Sequence, residues 1–218
     1  MVTLTIDNRR VSVEPGTTIC RAAERLGILI PTLCHVPGIE PAASCFLCAV
    51  QIEGRRNLSP ACALPVSEGM VVATDSADVR AARKTALELL LSDHAGGCAA
   101  VSGLLRSLVE EYRPDVNRFA GERRSFQQDV SHPEVIYDPG KCILCGACVQ
   151  IATAAGEPLG LAVIGRGFHV AVAVPFGKPL ADGLRRAAQR CAEACPTGAL
   201  ALRSVGGRPE FGTAAQDA

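Results

Sequence analysis

The chain carries no net charge, since 22 lysines and arginines balance 22 aspartates and glutamates over 218 residues. No global field therefore draws it to nucleic acid or to an anionic membrane surface. No apolar run reaches the length of a bilayer crossing. The opening MVTLTIDNRRVSVEPG lacks the basic-then-apolar character of an export leader. A dinucleotide fingerprint is missing too. Gly165-Arg166-Gly167 would need a further glycine at Val170, and a hairpin turn is the expected structure there. There is no low-complexity tract, and no repeat beyond a faint echo between two cysteine runs. What the chain does have is 11 cysteines. Clustered thiols without an export signal favour metal ligation in a reducing compartment over a disulfide scaffold, so a cytoplasmic location is expected.

Cys142, Cys145 and Cys148 lie three residues apart in KCILCGAC, and Cys195 precedes a proline in CAEACPTGAL. Three thiolates at this spacing, closed by a distant Cys-Pro, can wrap a [4Fe–4S] cube, and the pattern resembles the bacterial ferredoxins. Such a domain normally holds two cubes whose cysteine runs exchange their last ligands. Here the partners of the second cube are gone. Ala152 stands where a cysteine should follow Cys148, and Arg185 and Ala188 stand where thiolates should precede Cys191. All three losses fall on one cube and spare the other, so one [4Fe–4S] cluster is expected. Without its loop ligands, 180–194 is predicted to run as a single helix, with Leu184, Ala187, Ala188 and Cys191 on one face. Cys191 and Cys20 are then small buried apolar residues.

The first 78 residues alternate as a sheet should. Val2, Leu4 and Ile6 share a face, Asp7-Asn8 turns into Val11–Val13, and 49–53 and 70–74 read as further strands. Between them Thr17 or Thr18 caps a helix carrying Ile19, Ala22, Ala23 and Leu26, which Gly27 stops. A sheet crossed by one helix is a β-grasp pattern. A second cysteine set lies on it: Cys34, Cys45, Cys48 and Cys62. Four cysteines also suit tetrahedral zinc, but zinc sites usually pair two CxxC knuckles and only one is present here. A [2Fe–2S] cluster needs four terminal thiolates and is the expected occupant. His35, next to Cys34, is expected to hydrogen-bond near the cluster or to face solvent.

In IPTLCH, SCFLCAV and SPACALPV the chain resembles the N-terminal [2Fe–2S] domain of the large peripheral subunit of complex I. It also resembles related subunits of NAD-linked hydrogenases and formate dehydrogenases. In size and layout it is most similar to the small iron–sulfur diaphorase subunit of NAD-linked [NiFe] hydrogenases, over about residues 1–204. The family often has Gly-Thr-Cys-Arg where Ala43-Ser44-Cys45-Phe46 stands, and loss of that positive charge is expected to lower the cluster's potential. The resemblance also implies a further [4Fe–4S] cluster held by one His and three Cys. His94 and Cys98 match the first two positions, but Val101 and Ser107 occupy the others. That site is expected to be empty.

The expected architecture is α+β. A β-grasp [2Fe–2S] domain spans 1–78, a helical connector with the degenerate site spans 79–131, a bacterial-ferredoxin-like [4Fe–4S] domain spans 132–204, and a tail follows. In the connector, 80–92 is predicted as a helix with Ala81, Thr85, Leu87, Leu90 and Leu91 on its apolar side, followed by a short helix over 103–112. The polar 114–131 is predicted as a linker, with Arg123-Arg124 on a solvated face or in a docking patch. By resemblance, the chain passes electrons between a flavin/NADH-binding partner and a second redox catalytic subunit and performs no substrate chemistry itself. A structural or redox-sensing role and a free-standing carrier are the alternatives. Loss of the bridging cluster lengthens the hop between the remaining centres unless the domains pack more closely, a partner's cluster fills the gap, or the two centres serve different routes; a partner's cluster is the expected answer.

Overall fold

The computed structural model describes residues 1–94, 103–119, 121–122 and 124–203. Strand β1 (Val2–Ile6) pairs antiparallel with β2 (Arg9–Val13) through the Asp7-Asn8 turn, whose two residues both take positive φ. That turn twists with its strands, which is why short polar residues occupy it. Helix α1 (Ile19–Glu24) is capped by Thr18, which accepts from the Arg21 N–H. Strands β3 (Ala49–Ile52), β4 (Ser59–Pro60) and β5 (Val71–Ala73) complete a sheet of order β2-β1-β5-β3-β4, with β1 and β5 parallel. This is the expected β-grasp. Its core unites Leu4, Ile6, Val13, Ile19 and Val72 with the buried Cys20.

Helix α2 (Ala77–Ser92) begins earlier than the apolar spacing indicates, because Ser76 caps it through the Val79 N–H. Its buried stripe also differs. Val79, Arg83, Leu87, Glu88 and Leu91 face inward while Ala81 is exposed. Two charged residues enter the core because each finds partners there. Arg83, 3 % exposed, donates to the carbonyls of Leu47, Ala49 and Thr74 and to the Tyr112 hydroxyl at 2.9–3.1 Å. Glu88 accepts from the Asp115 N–H and from Arg118 at 2.8 Å. Helix α3 (Gly103–Tyr112) packs its Leu105, Leu108 and Tyr112 against this stripe.

Beyond the connector, β6 (Val135–Tyr137) pairs antiparallel with β9 (Leu200–Leu202), and β7 (Ala162–Ile164) with β8 (Ala171–Ala173). The β7–β8 hairpin turns through Gly165-Arg166-Gly167 as expected. Gly165 has φ +73°, and a Cβ there would meet the His169 carbonyl oxygen at 2.3 Å. Helices α4 (Ala147–Ala154), α5 (Leu180–Gly183) and α6 (Ala188–Glu193) close the domain.

The predicted single helix over 180–194 is two helices. Leu184 leaves the helical region (φ −125°, ψ 90°). Gly183 presses against Val174 and the Gly160 carbonyl, with no room for a Cβ. Glu157 then accepts from the free N–H groups of Arg186 and Ala187 at 2.6 and 2.8 Å. A carboxylate at orphan amides stabilises this second start.

Candidate iron–sulfur centres

In the β-grasp domain, strand pairing decides which thiols meet. β4 runs beside β3 with Ala49 opposite Pro60, and the Ala61 N–H donates to the Cys48 carbonyl at 3.0 Å. This returns Cys62 to Cys48, their sulfurs 3.3 Å apart. Cys34, on the loop after α1, and Cys45 close the group, and all four are at most 5 % exposed. The sulfurs sit so near one another that they hydrogen-bond among themselves. Hydrogen bonds with Cys45 and Cys62 hold Cys34 far below the usual thiol range, and the hydrogen bond with Cys62 brings Cys48 down to about 7. Their partners Cys45 and Cys62 are pushed up correspondingly. Arg83 lies behind this loop, gripping the carbonyls on either side of Cys48. Phe46 is held at φ +56°, a costly conformation for a bulky residue and one that concentrates at functional sites.

In the C-terminal domain, Asp138 caps the short turn over Pro139–Lys141 by accepting from the Gly140 N–H. That turn delivers Cys142. Leu144 at φ +55° and Gly146 at φ +76° bend the loop around Cys145 and start α4, which carries Cys148. The β6–β9 pairing returns Cys195 to the same place. Peptide N–H groups aim at the sulfurs, Leu144 at Cys142 (3.4 Å) and Leu200 at Cys195 (3.3 Å). The four cysteines line one cavity with Tyr137, Ile143, Val172 and Pro196. Burial pushes Cys142 and Cys148 up, and Cys145 to about 12.

Both cages fit iron–sulfur clusters. Each gathers four sulfurs in apolar surroundings with amide donors directed inward, the environment that holds a cluster and tunes it. Each also keeps one buried polar atom without a hydrogen-bond partner, Nδ1 of half-buried His35 beside Cys34 and the hydroxyl of Tyr137.

The second cube's place is filled by packing. Ala152, Ala188 and Cys191 are all buried in the domain core, the Cys191 thiol donates to the Cys148 carbonyl, and Arg185 is exposed and paired with Asp182. Of the degenerate connector site, His94 is buried at the end of α2 and Ser107 is exposed on α3. Cys98 and Val101 lie outside the described residues, as does Arg123. Arg124 is not a solvated or docking residue. It pairs with Asp93, donates to the Val170 carbonyl and stacks on Phe126 and Phe168, tying the connector to the β7–β8 hairpin. Arg83 and Tyr137 are the site neighbours that sequence patterning missed. An arginine on the i, i+4 stripe of Val79, Leu87 and Leu91 was the available signal for the first.

Cys34 and Cys45 share one apolar cluster with Cys145 and Ala147, filled in by Leu33, Leu47, Leu87 and Leu91. Residues of both cages therefore belong to one apolar cluster, the arrangement expected where the domains pack more closely.

These features define a class: paired ferredoxin-type domains whose cysteine cages contribute to one apolar cluster. Comparison with known proteins agrees. Residues 1–77 match the 2Fe-2S iron-sulfur cluster binding domain family, and residues 135–202 match the 4Fe-4S single cluster domain family. A chain in the crystal structure of NAD+-reducing [NiFe]-hydrogenase in the H2-reduced state superposes with a TM-score of 0.84 at 31% identity, covering 98% of this chain and 94% of that one. NADP-reducing hydrogenase subunit HndD of Solidesulfovibrio fructosivorans is 42% identical over 211 residues, covering 92% of this chain and 36% of that protein. The mitochondrial NADH-ubiquinone oxidoreductase 78 kDa subunit of Candida albicans is 31% identical over 206 residues, covering 91% of this chain and 28% of that protein. The protein belongs to the electron-transfer iron–sulfur subunit family shared by NAD(P)-linked hydrogenases and complex I, with one [2Fe–2S] and one [4Fe–4S] domain. It spans about a third of the length of these two curated relatives, which are themselves subunits of larger enzymes. Among the described residues no helix is long and apolar enough to cross a membrane.

Proposed function

We propose that the chain relays electrons between a flavin/NAD(H)-binding partner and a second redox catalytic subunit, as a cytoplasmic member of a hetero-oligomer. Cys34, Cys45, Cys48 and Cys62 hold the [2Fe–2S] cluster, and Cys142, Cys145, Cys148 and Cys195 hold the [4Fe–4S] cluster. When bound, each cluster takes up and gives back single electrons. The chain's own residues supply the rest. The amides of Leu144 and Leu200 orient sulfurs, the leucines of the shared core exclude water, and Arg83 fixes the Cys48 loop. The packing of Cys34 and Cys45 with Cys145 in one apolar cluster carries this reading, because it supports direct exchange between the centres without a partner's cluster between them. The degenerate connector site takes no part.

Iron and sulfide analysis with EPR of the reduced protein tests it, with about six irons per chain expected. C48S should erase only the [2Fe–2S] signal and C145S only the [4Fe–4S] signal, while the intact protein shows the two reduced centres broadening each other. About ten irons would contradict the single-cube assignment. Loaded protein that NADH and the flavoprotein partner leave oxidised would point instead to a structural or sensing role.

A further inference from the structure

The cavity of the C-terminal cage contains one polar side chain that the cysteine ligands do not explain. Tyr137 ends β6, is 6 % exposed, and lines the cavity beside Cys142, Cys145, Cys148 and Cys195. Its hydroxyl is shut away from solvent and makes no hydrogen bond among the described residues. A buried hydroxyl left in that state is destabilising, because it gave up its hydrogen bonds to water without replacing them. A phenylalanine would fill the same space without that penalty.

The ring has little freedom to seek another partner. Tyr137 exchanges backbone hydrogen bonds with Asp129 at 2.8 and 3.0 Å, and its register partner across the sheet is Leu200, whose N–H donates to the Cys195 sulfur. The strand thus holds the ring in the wall of the cavity that Cys142, five residues further along the chain, also lines.

We propose that Tyr137 is a positioning residue that donates its O–H to the Cys142 sulfur in the loaded protein and so raises the reduction potential of the [4Fe–4S] centre. This rests on the ligand assignment made above. Reduction adds one electron to the centre, and the extra negative charge spreads onto its sulfurs. A donor on a ligating sulfur stabilises the reduced form more than the oxidised one. Leu144 already supplies one donor to Cys142 at 3.4 Å, and Tyr137 supplies a second from the opposite chain segment. The orphaned hydroxyl then has its acceptor.

The test is an EPR-monitored redox titration of the loaded protein and of Y137F. At the poise where the wild-type [4Fe–4S] centre is half reduced, Y137F should change the oxidised-to-reduced ratio about tenfold towards oxidised, equivalent to 59 mV for a one-electron couple. The [2Fe–2S] centre should titrate unchanged and the iron content should stay constant. A ratio altered less than about twofold overturns the proposal, since even a hydrogen bond at the weak end of the ordinary range changes an equilibrium by about that much. If Y137F fails to assemble its cluster, biosynthetic replacement of the chain's two tyrosines by 3-fluorotyrosine decides the matter. The more acidic phenol is a stronger donor, so the [4Fe–4S] potential should rise, and an unmoved potential is contrary. A normal [4Fe–4S] signal that ignores both changes defeats this inference alone. A wild-type chain with no such signal defeats the ligand assignment and the inference together.

Discussion

The two cysteine cages solve one problem in different ways. In the β-grasp domain the sulfurs are closed in and touch, with Cys48 and Cys62 3.3 Å apart and proton sharing that drives Cys34 and Cys48 down while Cys45 and Cys62 go up. The positive charge nearby is Arg83, whose hydrogen bonds all go to neutral oxygens. In the C-terminal domain three of the four cysteines remain partly accessible, a cavity persists among them, and burial is the largest influence raising Cys142, Cys145 and Cys148. The first cage is built on long-range sheet pairing and a buried cation. The second is built on a local loop of strained turns and amide donors, closed by one returning strand. The difference shows where each can fail.

The largest expected effect is on the first cage. R83M would leave three carbonyls and a tyrosine hydroxyl unsatisfied in the core, costing about 3 kcal/mol or more. The β-grasp domain should melt earlier and lose its [2Fe–2S] signal, while the [4Fe–4S] signal survives. Equal loss of both signals would show that the shared core, rather than Arg83, sustains the first cage.

Alkali should weaken both domains of the cluster-free protein alike. Burial raises Cys20 and Cys191 from the ordinary 9.0 to about 12. A raised folded-state value means that the folded protein keeps a proton that the unfolded chain gives up. The stability from these thiols is complete below about pH 9 and is lost as pH climbs towards 12, on the order of a few kcal/mol each. C20A in one domain and C191A in the other should flatten the decline in denaturant midpoint over that window. A slope insensitive to both would assign the alkaline loss elsewhere.

The smallest effect lies at the helix break. Burial works to raise Glu157, but the N–H groups of Arg186 and Ala187 outweigh it, and its carboxyl lies below the usual range. A lowered folded-state value gives stability above the ordinary carboxylate range that is lost as pH falls through the folded value. E157Q should cost about 1 kcal/mol at neutral pH and remove part of the acid dependence. Chemical denaturation at two pH values checks both.

Much of this protein could be read along the chain. Period-two alternation placed β1 and the helical spacing placed α1. KCILCGAC with its distant Cys195 marked the cube, and the segregation of Ala152, Arg185 and Ala188 onto one ligand set marked the lost one. Strand β4 escaped because two residues containing a proline carry no alternation to detect. The helix break at Leu184–Ala187 escaped because it depends on Gly183 meeting Gly160 and on Glu157, 29 residues from Arg186. The buried face of α2 was misjudged because hydrophobicity cannot reveal that an arginine will find four oxygens.

By itself, the sequence determined the cysteine inventory, the two ferredoxin-type domains and the loss of the second cube, because ligand chemistry depends on residue type and spacing. The tertiary structure alone decided that Cys34, Cys45 and Cys145 lie in one apolar cluster, that Arg83 braces the first cage, and that Tyr137 faces the second. Those are contacts between segments far apart in the chain. They are fixed by strand register and by helix packing, which no local spacing records.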